Sequence, residues 1–250
     1  MHRPKAVLIV AGGWHVPVHY RKLMAALESR QIRTICETLP TNNNAVPPNA
    51  TLYDDINFIK SIVAKEVAVG THLTVVAHSW GGIVSSAALA DFAVPRGSAT
   101  GGVTDLVFIS AFIPKEGESL VSILGGSLPP DIVTQGDILS WRDPIGRFYH
   151  DLSPQEALWA ESLLVAHGTV VQYTPVDVQK VAWRTTPLTY VLCEDDHALP
   201  LDMQDMMVGR VESDGIPVKC FNIPSSHSPF LSMPERVADI VEEVMNQASQ

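Results

Sequence analysis

Residues 73–89 read L-T-V-V-A-H-S-W-G-G-I-V-S-S-A-A-L. The first five are a strand-length apolar run without alternation, as expected of a strand covered on both faces. Ala77-His78-Ser79-Trp80-Gly81-Gly82 follows, then a run of small residues with helical character. A strand that turns at once into a helix needs small side chains two before and two after the turning residue, and Ala77 and Gly81 supply them around Ser79. Working outward, strand candidates at 6–10, 32–36, 73–77, 105–109, 188–193 and 218–223 alternate with helices near 18–30, 51–68, 81–92, 201–208 and 234–247. This alternation predicts an α/β protein with a doubly wound, mostly parallel six-stranded sheet and right-handed crossovers. The last helix carries Val237, Ile240, Val241, Val244 and Met245 on one stripe, with Ser232 and Glu235 spaced as a capping box and Pro234 in its first turn.

Two stretches break the rhythm. Residues 41–51 (T-N-N-N-A-V-P-P-N-A-T) read as a surface loop. The interval 114–186 opens Gly/Pro-rich, then shows a helix start at Ser153-Pro154-Gln155-Glu156 that runs to about His167, with Gly168 as its stop. The expected organisation is a core of 1–113 and 187–250 with 114–186 inserted as a lid or small accessory domain.

Composition narrows the function classes. With 250 residues, 46% of them hydrophobic and 18% charged, and a mean hydropathy of +0.14, the chain is not disordered and needs no disulfide or metal to fold. Seventeen basic against 27 acidic residues leave a net charge of −10, which argues against a nucleic-acid partner and against an anionic membrane surface. Cys36, Cys193 and Cys220 show neither a C-x-x-C pair nor metal spacing and predict reduced thiols in a cytoplasmic protein. The apolar run before Gly12 is too short for a signal-peptide core or a membrane span. A small-molecule substrate is the expected partner, and a homodimer is left open.

The chemistry starts from Ser79. At a strained turn ahead of a helix, its hydroxyl lies where backbone N–H groups favour developing negative charge. A strand-to-helix turn can also carry Ser and Gly for packing alone, but a serine used as nucleophile needs a base, and the base an orienting carboxylate. Chain order Ser, acid, His is expected, with the last two in loops after later strands. The strand at 188–193 ends in Glu194-Asp195-Asp196-His197, and that at 218–223 in Pro224-Ser225-Ser226-His227. His227 is the expected base and Asp196 its partner, with Asp195 the alternative acid. Gly12-Gly13-Trp14 lacks a G-x-G-x-x-G continuation, so no dinucleotide site is supported. Its place after the first strand suits an oxyanion hole built from the Gly13 and Trp80 amides, although a plain turn glycine is the competing reading. Trp14, His15, Trp141, Phe148 and Tyr149 are candidate pocket residues. Trp159, on the predicted helix of the insertion, reads as a packing residue, and His78 as a packing or strand-end residue. His19 and His150 have no demanding spacing, His197 reads as a loop residue, and nothing predicts a metal or a cofactor.

These residues resemble the α/β-hydrolase superfamily over nearly the whole chain. More narrowly, V-L-I-V-A-G-G-W-H, V-V-A-H-S-W-G-G, I-S-A-F-I-P, L-S-P-Q-E-A-L, Y-V-L-C-E-D-D-H-A-L-P and H-S-P-F-L-S-M-P-E are similar to the plant methylesterase and hydroxynitrile lyase branch and its microbial relatives. The resemblance selects Asp196 over Asp195. It implies a nucleophile at Ser79, a base at His227, oxyanion amides at Gly13 and Trp80, and a mostly helical cap over 114–186. The lyases' threonine and lysine fall on Gly12 and Ser228 here, and the family's oxyanion-loop histidine on Ala11, so hydrolysis is the better carry-over than cyanide chemistry. The expected activity is cleavage of a carboxylic ester or lactone of a small to medium, largely apolar substrate. The alternatives are a lyase or tailoring enzyme of secondary metabolism on the same triad, and a non-catalytic small-molecule receptor.

Overall fold

The computed structural model describes residues 4–247. The ends of the expected core, 1–3 and 248–250, lie outside the described residues. Strands β1 (Lys5–Val10), β2 (Arg33–Cys36), β3 (His72–His78) and β4 (Gly102–Ile109) are joined through helices α1 (Arg21–Ser29), α2 (Leu52–Ala68) and α3 (Gly81–Ala88). Helix α4 (Leu120–Ile123), the hairpin β5 (Ile132–Gln135) and β6 (Ile138–Trp141), α5 (Pro144–Phe148), α6 (Pro154–Glu161), β7 (His167–Gly168) and α7 (Thr169–Tyr173) follow. The chain then returns through β8 (Leu188–Cys193), α8 (Leu201–Ser213), β9 (Val218–Ile223), α9 (Pro229–Ser232) and α10 (Pro234–Asn246).

The main sheet has six strands in the order β2-β1-β3-β4-β8-β9, and every pairing in it is parallel. Its period-two pleat sorts one strand between two cores. Ala6, Leu8 and Val10 of β1 join Leu73, Val75 and Ala77 of β3 beneath α2, α3 and α8. Val7 and Ile9 face the other way, into the core beneath α1 and α10. The winding reverses between β1 and β3, which opens a crevice at their carboxyl ends, where ligands bind in such sheets. The loops after Val10 and His78 therefore meet.

Helix α10 forms on its predicted stripe, with Val237, Ile240, Val241 and Val244 buried. Its N-cap is Met233 rather than Ser232, because Ser232 already belongs to α9 and its N–H donates to the Ser228 carbonyl. Four buried apolar side chains at about 1.5–3 kcal/mol each outweigh the roughly 1 kcal/mol of a lost cap. Ser153 does accept the Glu156 N–H, but α6 stops at Glu161 instead of reaching His167. Val165 N–H donates to the Trp14 carbonyl and Ala166 N–H to Asn44 Oδ1, which pulls the chain into extended form, and His167–Gly168 becomes a strand. The interval 114–186 thus adds a three-stranded antiparallel sheet to its short helices. The 41–51 stretch is only partly surface, since Thr41 and Asn42 are buried. Among the described residues no helix is long and apolar enough to cross a membrane.

Candidate active site

Ser79 sits between β3 and α3 with φ of 51°, in the left-handed region that costs a non-glycine residue energy. The turn is tight enough that a Cβ on Gly81 would lie 2.2 Å from the Val10 carbonyl oxygen, and one on Gly82 2.2 Å from that of Phe112. Those contacts leave hydrogen as the only side chain that fits and pin the turn against the ends of β1 and β4.

Asp196 and His227 reach the same end of the sheet from the loops after β8 and β9. The His227 Nδ1–H donates to Asp196 Oδ2 at 2.6 Å, and both side chains are buried. Asp196 Oδ1 accepts the Ala198 and Leu199 amides at 2.7 and 2.8 Å, and the Ser110 hydroxyl, at the end of β4, donates to Oδ2. Bonds from amides and hydroxyl fix the orientation of the carboxylate and aim it at the imidazole. Asp195, one residue earlier, is largely exposed and faces His150 and His197 instead.

Ser79 and His227 line one pocket with Trp14, Trp80, Trp141 and Phe148. Phe112, Leu120, Leu124, Pro129, Ile132, Gln172, Ala198 and Leu199 complete its wall, around about 450 Å³ of empty space, mouth included. His15 and Tyr149 stand behind that wall: both are buried, the Tyr149 hydroxyl donates to His15 Nε2 at 2.9 Å, and His15 Nδ1–H donates to the Gly13 carbonyl at 2.8 Å. Trp159 lies under the Arg21 guanidinium, 3.8 Å from its ring centre, outside the pocket.

The loop after β1 is held by residues that only the fold brings together. The Gly12 N–H donates to Tyr20 Oη at 2.9 Å, and the Trp14 N–H to Asn42 Oδ1 at 3.2 Å, so the amides on either side of Gly13 are committed to the scaffold. Asn42 Nδ2 in turn donates to the Gly12 and His15 carbonyls at 2.9 and 2.8 Å. Tyr20 Oη donates to His78 Nδ1 at 2.9 Å, and His78 Nε2–H donates to the His227 carbonyl at 3.0 Å. His78 is therefore a link between the β1 loop and the His227 loop. Burial, reinforced by neighbouring His227, pushes its pKa well below the usual histidine range, so it is neutral and can accept at one nitrogen while donating at the other.

Trp80 is positioned through its indole, which donates to Asp55 Oδ2 at 3.0 Å. Asp55 also accepts the Thr41 amide and hydroxyl, and burial pushes its carboxyl up to about 6. Across from Trp80, His167 donates from Nδ1 to Asn42 Oδ1 at 3.2 Å. Its Nε2 is a buried acceptor without a partner, 3.3 Å from where a Gly13 Cβ would stand, and burial pushes its pKa down to about 4. Asn42, Tyr20, Asp55, Ser110 and His167 escape a reading of spacing because each acts on a partner far along the chain; Asn42 in particular stands in a polar stretch that reads as a loop.

A doubly wound parallel sheet with a strained serine between strand and helix, and a histidine–aspartate pair on the later loops, is the arrangement of the alpha/beta hydrolases. The model of the alpha/beta hydrolase family matches residues 7–240, and the chain belongs to that family. It is 29% identical to the alpha/beta hydrolase nvfD of Aspergillus novofumigatus, over 97% of each chain. It is also 29% identical to the carbendazim hydrolyzing esterase of a Nocardioides species, over 51% of this chain and 50% of that one. Among solved structures it resembles polyneuridine aldehyde esterase, with a TM-score of 0.78 at 17% identity over 98% of this chain and 100% of the other.

Proposed function

We propose that the protein is a serine hydrolase that cleaves a carboxylic ester or lactone through an acyl-enzyme. The observation that carries this reading is the strained Ser79 facing the pocket shared with His227, whose other nitrogen is bound to the buried Asp196. The names of the esterase relatives point the same way. With Nδ1–H committed to Asp196, His227 presents an unprotonated Nε2 as base. The Ser79 hydroxyl makes no hydrogen bond among the described residues, so its rotation toward Nε2 is the first step. Ser79 Oγ then attacks the carbonyl carbon while its proton passes to His227. The Gly13 and Trp80 amides hold the oxyanion, and Asp196 stabilises the imidazolium. The imidazolium returns that proton to the leaving alcohol oxygen, and a water deprotonated by His227 releases the acid.

Residues from 114–186 form much of the wall opposite Ser79, which supports their role as a cap. The wall is apolar and aromatic, which favours a small to medium, largely apolar substrate. Gln172 offers the substrate a point of polarity besides Ser79 and His227. The three free thiols fit the reducing environment of a cytoplasmic enzyme. A fluorophosphonate should label the protein on Ser79, and Ser79→Ala should lose both label and ester turnover by several orders of magnitude. Labelling that persists in Ser79→Ala refutes the assignment.

A further inference from the structure

Asp195 leads away from the proposed catalytic chemistry. His150, Asp195 and His197 place one ligand atom each within 4.8 Å of one another. His150 Nε2 lies 3.1 Å from Asp195 Oδ2, and His197 Nε2 lies 3.5 Å from Asp195 Oδ1. The His197 Nδ1–H donates to the Gly146 carbonyl at 2.8 Å. That bond fixes the ring through Nδ1 and leaves Nε2 turned toward a carboxylate oxygen, free to serve as a ligand atom. The three ligand atoms are close enough together for a single cation to touch all of them. A backbone carbonyl on the far nitrogen is also the usual outer support of a metal-binding imidazole.

We infer that His150, Asp195 and His197 form a binding site for a zinc-type divalent cation, with water completing its coordination. Two imidazoles and one carboxylate suit zinc and its first-row neighbours and disfavour calcium and magnesium, which take oxygen ligands. The two rings are stacked with centroids 3.9 Å apart and planes 14° from parallel, so they splay for their planes to meet on the ion. His197 is about half exposed and has room to turn. At His150 the ion would take the place facing Asp195 at Nε2, which requires the neutral ring to carry its single proton on Nδ1. That nitrogen is buried without an acceptor, so His150 is the weaker of the two imidazole ligands. Arg147 lines the same depression, but its charge is committed to Asp131, and its Nη1 donates to the His197 carbonyl at 2.8 Å.

The placement gives the ion a purpose. His150 belongs to the 114–186 segment, whereas Asp195 and His197 flank Asp196, and the Asp195 N–H donates to the Ser225 carbonyl two residues before His227. One bound cation would staple the segment over the pocket to the loops of the proposed acid and base. The inference stands apart from the role of Ser79, because its test reads metal binding and not turnover.

The test is calorimetric titration of the full chain with zinc chloride, alongside thermal unfolding with and without zinc and the visible spectrum of the cobalt-loaded protein. One zinc ion per chain, a raised Tm and a cobalt spectrum of mixed nitrogen and oxygen ligation are expected. His197→Ala should lower the affinity about tenfold or more and remove the Tm increase, with a smaller loss in His150→Ala. No binding at millimolar zinc, or binding unchanged in the combined His150→Ala, Asp195→Asn and His197→Ala variant, overturns the inference.

Discussion

Replacing Asn42 with alanine tests how the β1 loop is held. The side chain is 1% exposed and makes four hydrogen bonds: to the Gly12 and His15 carbonyls, and from the Trp14 amide and His167 Nδ1. Gly12 O keeps the His15 N–H at 3.3 Å, so three groups are left bare. A buried polar group without a partner costs about 1–3 kcal/mol, and water entering the vacated space recovers part of it. The expected loss of unfolding free energy is therefore about 3–5 kcal/mol. Removing one oxyanion donor outright lowers kcat by about 10²–10³. Loosening the Gly13 amide without deleting it should cost about 10–100-fold in kcat, with a smaller change in KM because, among the described residues, Trp14 is the one pocket-wall residue that Asn42 holds. Urea unfolding and hydrolysis of a chromogenic short-chain ester, measured where the variant is folded, give both numbers. A variant that loses the stability but keeps full kcat refutes Asn42 as a support of the proposed oxyanion loop. One that loses less than 1 kcal/mol refutes the burial argument itself.

Acid should weaken the fold through His167, whose pKa lies near 4 folded and near 6.5 unfolded. Between those values the unfolded chain takes a proton that the folded one refuses, so stability falls with pH by up to about 1.4 kcal/mol per unit and by about 3 kcal/mol across the window. Urea unfolding at pH 7 and 4.5 should show a smaller acid loss in His167→Gln than in the parent, and equal losses contradict this. Gly81→Ala, whose Cβ would meet the Val10 carbonyl at 2.2 Å, should cost about 2–3 kcal/mol, whereas Gly209→Ala, in open space within α8, should add about 0.5–1 kcal/mol to the unfolding free energy. Similar effects at both positions would remove the steric account of the turn. Gln172→Leu should shift the ratio of kcat/KM about tenfold toward hydrocarbon acyl esters over esters bearing a distal oxygen acceptor, and an unchanged ratio rules Gln172 out of substrate contact.

The sheet was legible because its strands are buried on both faces and read as unbroken apolar runs. Its connectivity followed from helices of the right length between them. Ser79, Asp196 and His227 could be nominated because a parallel sheet delivers the loops after β3, β8 and β9 to one edge. Local signals misled where tertiary bonds override them. Gly168 looks like a helix stop, yet bonds to Trp14 and Asn44 had already ended α6, and Ser232 looks like a cap until α9 absorbs it. The supports were out of reach for a related reason. Tyr20, Asn42, Asp55 and Ser110 each act on a partner far along the chain, and their spacing carries no trace of it.

The neutral imidazole at position 78 has a consequence for how this scaffold can change. It accepts from a phenol on one side and donates to a backbone carbonyl on the other, so the spans after β1 and β9 are wired in series through a single ring. Drift in either span is transmitted to the other, and a graft that swaps the His227 segment alone would arrive out of alignment. Transplants between relatives should succeed only when the tyrosine, the ring and the receiving segment travel as one inherited block.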